Sequence, residues 1–342
     1  MRDAITFDDV LLVPAYNNYD SRRLVDISMT DKTGKLSLQI PLMTANMDTI
    51  TGSEMADFIG EKGGIGVLHR FCSIEENVRL FKSCQTPTFV SIGCSTMEND
   101  RAAALRDAGA DLFCVDVAHA HGRYVGRTLK KIRDMLGREA CIMAGNVATY
   151  AGSDYLASCG ADLIKVGIGG GSVCTTRIKT GFGVPSLTGI RECAKVDCSI
   201  IADGGMRTPG DIVKALAFGA DFVMIGGMLS GTRPTPGPVL TKLDRDGKPL
   251  KVKVYRGMAS GEAQNDYQGG MAEWRTAEGI SLEIPYRETE HEIIADIVGG
   301  LRSGLTYGGA ANIKELQRKL DYIQISWASK IESLAHAALG RD

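Results

Sequence analysis

The feature that most constrains this chain is a short pattern that recurs three times. Ala108-Gly109-Ala110-Asp111 leads into Leu-Phe-Cys-Val-Asp, Cys159-Gly160-Ala161-Asp162 into Leu-Ile-Lys-Val-Gly, and Phe218-Gly219-Ala220-Asp221 into Phe-Val-Met-Ile-Gly. Each reads as a helix end, a glycine C-cap and a short strand. The strands are apolar runs, not alternations, as a parallel sheet covered on both faces requires. Extending the pattern gives candidate strands near 39–44, 64–68, 88–92, 111–116, 140–144, 162–166, 199–202 and 221–225, with helical patterns between them. Ser73 with Glu76 reads as a capping box, and Thr208-Pro209 as an N-cap followed by Pro at the first helical position. Eight such units predict an α/β fold, a (β/α)8 TIM barrel. A doubly wound open sheet is the alternative that the same alternation allows.

The 342 residues are 44% hydrophobic and 23% charged, an ordinary globular balance able to bury a core of this size. We expect one catalytic barrel domain over residues 1–342. A flap insertion at about 232–290 follows the eighth strand. It is rich in Gly, Pro and charge, and Lys251 to Tyr255 alternates like a hairpin strand. Long insertions at a barrel mouth are often lids. Residues 1–38 precede the barrel, and Glu290 to Ala338 is helical in character, expected to complete the outer ring. The formal charge of −2 supplies no general field for nucleic acid or an acidic membrane. There is no run of 18 apolar residues and no signal-peptide apolar region at the start. The nine cysteines are scattered without CxxC pairs, which points to free thiols in a reducing cytoplasm.

In such barrels the reactive groups stand at the C-terminal ends of the strands. After the sixth strand comes Gly167-Ile168-Gly169-Gly170-Gly171-Ser172-Val173-Cys174-Thr175-Thr176-Arg177. Glycines let the backbone approach a ligand, and a cysteine at the end of such a loop can act as a nucleophile. A flexible turn carrying an incidental thiol is the alternative. After the seventh strand stands Asp203-Gly204-Gly205, and after the eighth Gly226-Gly227. Paired glycines at these two positions are where this fold usually binds phosphate, and Asp203 suits ribose hydroxyls. The same turns could cradle the phosphate of FMN, or simply be tight turns. Asp116-Val117-Ala118-His119-Ala120-His121 follows the fourth strand; its paired histidines lack a third metal ligand nearby and read as a rim loop touching a second ligand. Gly145-Asn146-Val147 lies on the same rim.

Together, Ile168-Gly-Gly-Gly-Ser-Val-Cys-Thr-Thr-Arg, Asp203-Gly-Gly, Gly226-Gly227 and Tyr255-Arg-Gly-Met258 resemble the IMP dehydrogenase/GMP reductase family. The resemblance runs from Phe7-Asp-Asp-Val-Leu-Leu to Gly308-Gly-Ala. It implies that Cys174 attacks C2 of a purine nucleotide to form a thioimidate, with Thr176 and Glu278 assisting proton transfer. It implies nucleotide contacts from Ser172, Asp203, Gly204, Gly205, Gly226, Gly227, Tyr255, Gly257, Met258, Ala259, Arg275 and Gly279. It places NADPH against Asp116, Val117, Ala118, Ile168, Gly169, Trp274 and Arg275, with Ser303 and Thr306 reaching a neighbouring subunit's cofactor in a homotetramer. It also implies a potassium ion on the carbonyls of Gly169, Gly171 and Cys174. The flap, Asn265-Asp-Tyr-Gln-Gly-Gly-Met-Ala-Glu-Trp-Arg-Thr-Ala-Glu-Gly279, is similar to the reductase branch in length and in its ending. Dehydrogenases carry a longer flap with an Arg-Tyr pair, where this chain has Asp266-Tyr267. Lys179-Thr180-Gly181 is also reductase-like, whereas Phe7 to Tyr16 and Gly63 to His69 look more like the dehydrogenase branch. The expected activity is therefore NADPH-dependent reductive deamination of GMP to IMP, in purine salvage. An IMP dehydrogenase lacking the CBS regulatory domain, which this sequence has no room for, is the alternative.

Overall fold

The computed structural model describes residues 4–333. Eight parallel strands run in chain order: β1 (Leu42–Thr44), β2 (Gly66–Leu68), β3 (Thr88–Ile92), β4 (Leu112–Asp116), β5 (Cys141–Val147), β6 (Leu163–Val166), β7 (Ser199–Asp203) and β8 (Phe222–Ile225). β8 pairs back onto β1, with Met224 opposite Met43. The seam between β1 and β2 is closed by the bridge Met43↔Ile65 and by Ile65 N donating to Leu42 O at 3.0 Å. The sheet is thus a barrel, and the open-sheet alternative fails at this seam. Phe89, Phe113 and Phe222 are fully buried, each stabilising the fold by about 1.5–3 kcal/mol.

The recurring pattern has a structural cause. Gly109, Gly160 and Gly219 adopt φ of +101°, +102° and +114°, which only glycine takes without strain. In the second and third copies the aspartate two residues on then satisfies a strand-end donor with its side chain. Asp162 Oδ2 accepts from Ile142 N on β5 at 2.8 Å, and Asp221 Oδ2 accepts from Ile200 N on β7 at 2.9 Å.

The helices α1 (Ser53–Glu61), α2 (Ile74–Ser83), α3 (Met97–Asp107), α4 (Arg123–Leu136), α5 (Tyr150–Ser158), α6 (Thr176–Thr180), α7 (Ser186–Cys193) and α8 (Pro209–Ala217) lie between the strands. Thr208 caps α8 with Pro209 at its first turn, as the sequence predicts. At α2 the capping box is half made: Ser73 Oγ accepts from Glu76 N, but the Glu76 carboxylate is taken by Arg79.

The insertion is more ordered than its composition suggests. β9 (Leu240–Leu243), β10 (Pro249–Arg256) and β11 (Ser281–Pro285) form an antiparallel sheet, and α9 (Gly261–Gln268) lies within the flap. Beyond it come α10 (Glu290–Tyr307), α11 (Ile313–Arg318) and α12 (Trp327–Glu332). The helical expectation for 290–338 is corrected at Tyr322–Gln324, a strand that pairs antiparallel with Val10–Leu12. Its partner is supplied from the far end of the chain, so no local periodicity announces it. Ala338 lies outside the described residues. Among the described residues no helix is long and apolar enough to cross a membrane.

Candidate active site

The loop after β6 is shaped by its glycines. A Cβ on Gly167 would lie 2.1 Å from Asp203 O, so no side chain fits there. The loop brings Cys174 to the barrel mouth, partly exposed. Its Sγ donates to Thr176 Oγ1 at 3.2 Å, and Thr176 Oγ1 donates to Glu278 Oε2 at 2.7 Å. This chain of hydrogen bonds joins residues about a hundred positions apart. The backbone fixes it from both sides: Thr175 N donates to Glu278 O at 2.8 Å, Ile280 N to Val173 O at 3.0 Å, and Glu278 N to Ala259 O at 3.0 Å. Gly279 sits where a Cβ would meet Ser260 N, the Gly257 Cα and Val173 O at 3.2–3.3 Å. The end of the flap is therefore threaded between the cysteine loop and the 257–260 segment.

A second cluster gathers around Gly227. Ser172 Oγ and Tyr255 Oη are 2.8 Å apart, and a Cβ at Gly227 would lie 2.9 Å from Ser172 Oγ. Gly204 and Gly205, at φ +87° and +85°, pass under residues 170–171 of the cysteine loop. Gly226 faces Ala45 and Met47 on the loop after β1. Ser186, which the sequence reading passes over, stands beside both Gly170 and Gly205. Small residues, hydroxyls and open backbone converge here, a combination that suits an anion.

Beneath this cluster the barrel holds a charged core that the sequence reading also misses. Lys165, on β6, is 2% exposed. Its Nζ reaches Asp116 Oδ1 at 2.6 Å and Asp203 Oδ2 at 3.5 Å. Asn146 Nδ2 completes the set, donating to Asp203 Oδ2 at 2.8 Å and to Gly167 O at 2.9 Å. Burial opposes charge on both partners. On Lys165 the two carboxylates outweigh it and hold the ammonium above its ordinary pKa; on Asp116 the Lys165 charge outweighs it and holds the carboxyl below its own. The signal was one charged letter inside the apolar run Leu-Ile-Lys-Val.

The residues expected to meet a dinucleotide are only partly gathered. Val117 N donates to Gly145 O at 2.9 Å and Asn146 N to Val117 O at 2.8 Å, which staples the 116–118 loop to the end of β5. Ile168 and Gly169 lie against the Arg177 side chain. Trp274 is 80% exposed, and the Arg275 guanidinium lies 4.8 Å from its ring centroid, leaving a flat face free to stack on a base or a nicotinamide. Met258 Sδ is 3.3 Å from Asp48 N, at the start of the flap. Ser303 and Thr306 are not brought to Cys174. They lie on α10 in the outer layer, where Ser303 Oγ accepts from Arg22 and Thr306 Oγ1 donates to Arg302 O.

For a monovalent cation the expected donors are carbonyls alone, in a loop whose turn is fixed by Cys174 N donating to Gly171 O at 3.1 Å. Among the described residues no group of three or more His, Cys, Asp or Glu could hold a metal ion. An all-carbonyl set suits a hard, singly charged ion such as potassium.

Residues 4–336 match the sequence model of the IMP dehydrogenase / GMP reductase domain. Human GMP reductase 1 is 39% identical over 335 residues, covering 94% of this chain and 95% of that protein. The crystal structure of inosine 5'-monophosphate dehydrogenase from Legionella pneumophila is 66% identical at a TM-score of 0.87, covering 95% of this chain and 99% of that one. The structure of a cysteine-to-alanine variant of GMP reductase from Trypanosoma brucei, in complex with guanosine 5'-monophosphate, is 27% identical at a TM-score of 0.90, covering 98% of both chains. A barrel with a cysteine loop after its sixth strand, a flap returning onto that loop and these matches along its length agree: this chain belongs to the IMP dehydrogenase / GMP reductase family.

Proposed function

We propose that this chain is a GMP reductase, converting GMP to IMP and ammonia at the expense of NADPH. The observation that carries this reading is the state of the flap. Asp266 is paired to Arg256 at 2.6 Å, and Tyr267 Oη donates to Asp48 at 2.9 Å. The position where dehydrogenases carry a flap arginine holds an acid already engaged elsewhere, so the flap offers no arginine there to activate water. The Glu278–Thr176–Cys174 chain, in contrast, suits departure of an amine. The GMP reductases among its relatives support the same reading.

In this reading the nucleotide phosphate lies among Ser172, Gly204, Gly205, Gly226, Gly227 and Tyr255. The ribose hydroxyls meet Asp203, and the base faces Gly257, Met258, Ala259, Arg275 and Gly279. The Cys174 thiolate bonds to C2 and the C2–N bond to the amino group breaks. Glu278, through Thr176, delivers the proton without which ammonia is a poor leaving group. NADPH, when bound, supplies the hydride that C2 takes up. The S–C2 bond then breaks, the electron pair returning to sulfur, and IMP is released. Asp116, Val117, Ala118, Ile168, Gly169, Trp274 and Arg275 would hold the cofactor, with Ser303 and Thr306 serving a neighbouring subunit of a tetramer. Potassium would sit on the carbonyls of Gly169, Gly171 and Cys174.

One observation favours a second reading: the Legionella chain with 66% identity bears the dehydrogenase name. Absorbance at 340 nm separates the two. A reductase consumes NADPH with GMP and releases ammonia. Sustained XMP formation from IMP and NAD+ at about 1 per second or more, the low end of ordinary turnover, would sink the reductase reading. Glu278→Gln should slow ammonia release by about 10²–10⁴-fold, the range for a lost general acid, with little change in GMP affinity.

A further inference from the structure

Asp48, on the loop between β1 and α1, has no part in the chemistry above. Its side chain is 6% exposed. Oδ2 accepts from Arg256 Nε at 3.0 Å, from Arg256 Nη2 at 2.5 Å and from Tyr267 Oη at 2.9 Å. Arg256 turns its Nη1 to Asp266 at 2.6 Å. Its guanidinium lies 5.7 Å from the Tyr267 ring centroid, and the Phe71 ring lies 5.8 Å from the same centroid. Three residues from outside α9, Asp48, Phe71 and Arg256, thus grip two of its successive residues. Burial first, and then the Asp48 carboxylate, push the Tyr267 hydroxyl up to about 12, so it stays a donor at any working pH. Asp48 Oδ1 is buried with no hydrogen-bond partner. A half-satisfied buried carboxylate is costly.

The grip is wired to the reacting centre. Arg256 precedes Gly257, whose N–H donates to Ile280 O, two residues beyond Glu278. Ser260, which caps α9, donates its N–H to Gly257 O, and Ala259 O holds Glu278 N. The start of α9 and the end of the flap are stitched to one four-residue segment.

We propose that Asp48 is a positioning residue: through Arg256 and Tyr267 it clasps α9 over the barrel mouth and keeps water from the Cys174 adduct. The inference rests on the reductive reading above. Once ammonia has left, C2 of the thioimidate is electrophilic. Hydride leads to IMP. Water adding to C2, followed by S–C2 cleavage with the electron pair and a proton going to sulfur, leads to XMP without any oxidant. The clasp therefore sets the partition between the two products.

The test uses Tyr267→Phe, which keeps the ring, and Asp48→Asn, which keeps the volume. Each is incubated with GMP in the absence and presence of NADPH. XMP formed from GMP alone should rise about tenfold or more over wild type, the scale of one lost hydrogen bond to a charged group. With NADPH, kcat for IMP should fall while the KM for GMP holds. Amide exchange across residues 261–268, measured without nucleotide, should quicken in both variants. Unchanged exchange overturns the clasp whatever the reaction proves to be. Faster exchange with no extra XMP overturns the guarding role. A wild-type enzyme that oxidises IMP instead overturns the reductive reading and the guarding role with it, while exchange still reports on the clasp.

Discussion

The cradle around Gly227 and the flap around Trp274 are built in opposite ways. The cradle comes from strand ends, where backbone meets backbone so closely that Gly167 has no room for a Cβ. The flap hangs between two fixed ends, and Ala272 to Thr276 are exposed throughout. Cys174 and the Gly227 cluster, the groups proposed as nucleophile and anion cradle, stand on the strand-end part. On the proposed reading, the choice of what happens to the adduct would rest on the part with few buried contacts, where local opening costs least. Fold and nucleotide class can therefore be shared across the family while the outcome differs.

Substitutions in the strand-end part break this contrast most sharply. Cys174→Ala should cut turnover roughly 10⁴-fold or more, the scale seen when a covalent nucleophile is removed, while nucleotide binding measured by calorimetry persists. Near-normal steady-state rates would end covalent catalysis. In the wild type, iodoacetamide should reach Cys174 first, and nucleotide should protect it. Burial pushes Cys114, Cys193 and Cys198 up to about 12, which leaves them almost wholly as thiols.

Next in size is Lys165→Met. It strands Asp116 and Asp203 as unpaired acids and should lower unfolding stability in urea by about 3–5 kcal/mol. Because Asp116 is held below its ordinary value, the pair's contribution is complete above about pH 4 and fades only below it. Wild type and variant should therefore converge in acid; a gap that persists there would assign the loss to packing. Smallest is Asp203→Ala, expected to raise the KM for nucleotide by about 10–100-fold through a lost charged acceptor. An unchanged KM would reduce Asp203 to a partner of Lys165 and Asn146.

The sequence was legible where structure is local. Each barrel strand falls within a few residues of its expected place because an apolar run and a Gly-Ala-Asp turn need no distant partner. The flap helix and β11 escaped, since β11 exists only by pairing with β10, and the residues of α9 are mostly polar. Lys165 escaped for another reason. A charge in a buried strand is intelligible only when Asp116 and Asp203, from two other strands, are seen beside it. Cys174 stands out by its glycine loop, whereas Thr176 and Glu278 are named only through a family pattern. Their spacing in the chain gives no hint that they form one hydrogen-bonded line, and their roles await the variants above.

The threading of residues 278–280 between two backbones has a consequence for how such enzymes can be rebuilt. The flap is moored at α9 on one side and at Gly279 on the other, so residues 269–277 form a span with both ends fixed. Lengthening a span of this kind costs little, about 0.6 kcal/mol for each doubling. A longer segment from a dehydrogenase could be spliced in at 269–277 with Glu278 left in register on Thr176. Because Asp266 lies in α9, outside that span, changing one branch into the other would require exchanging that position as well.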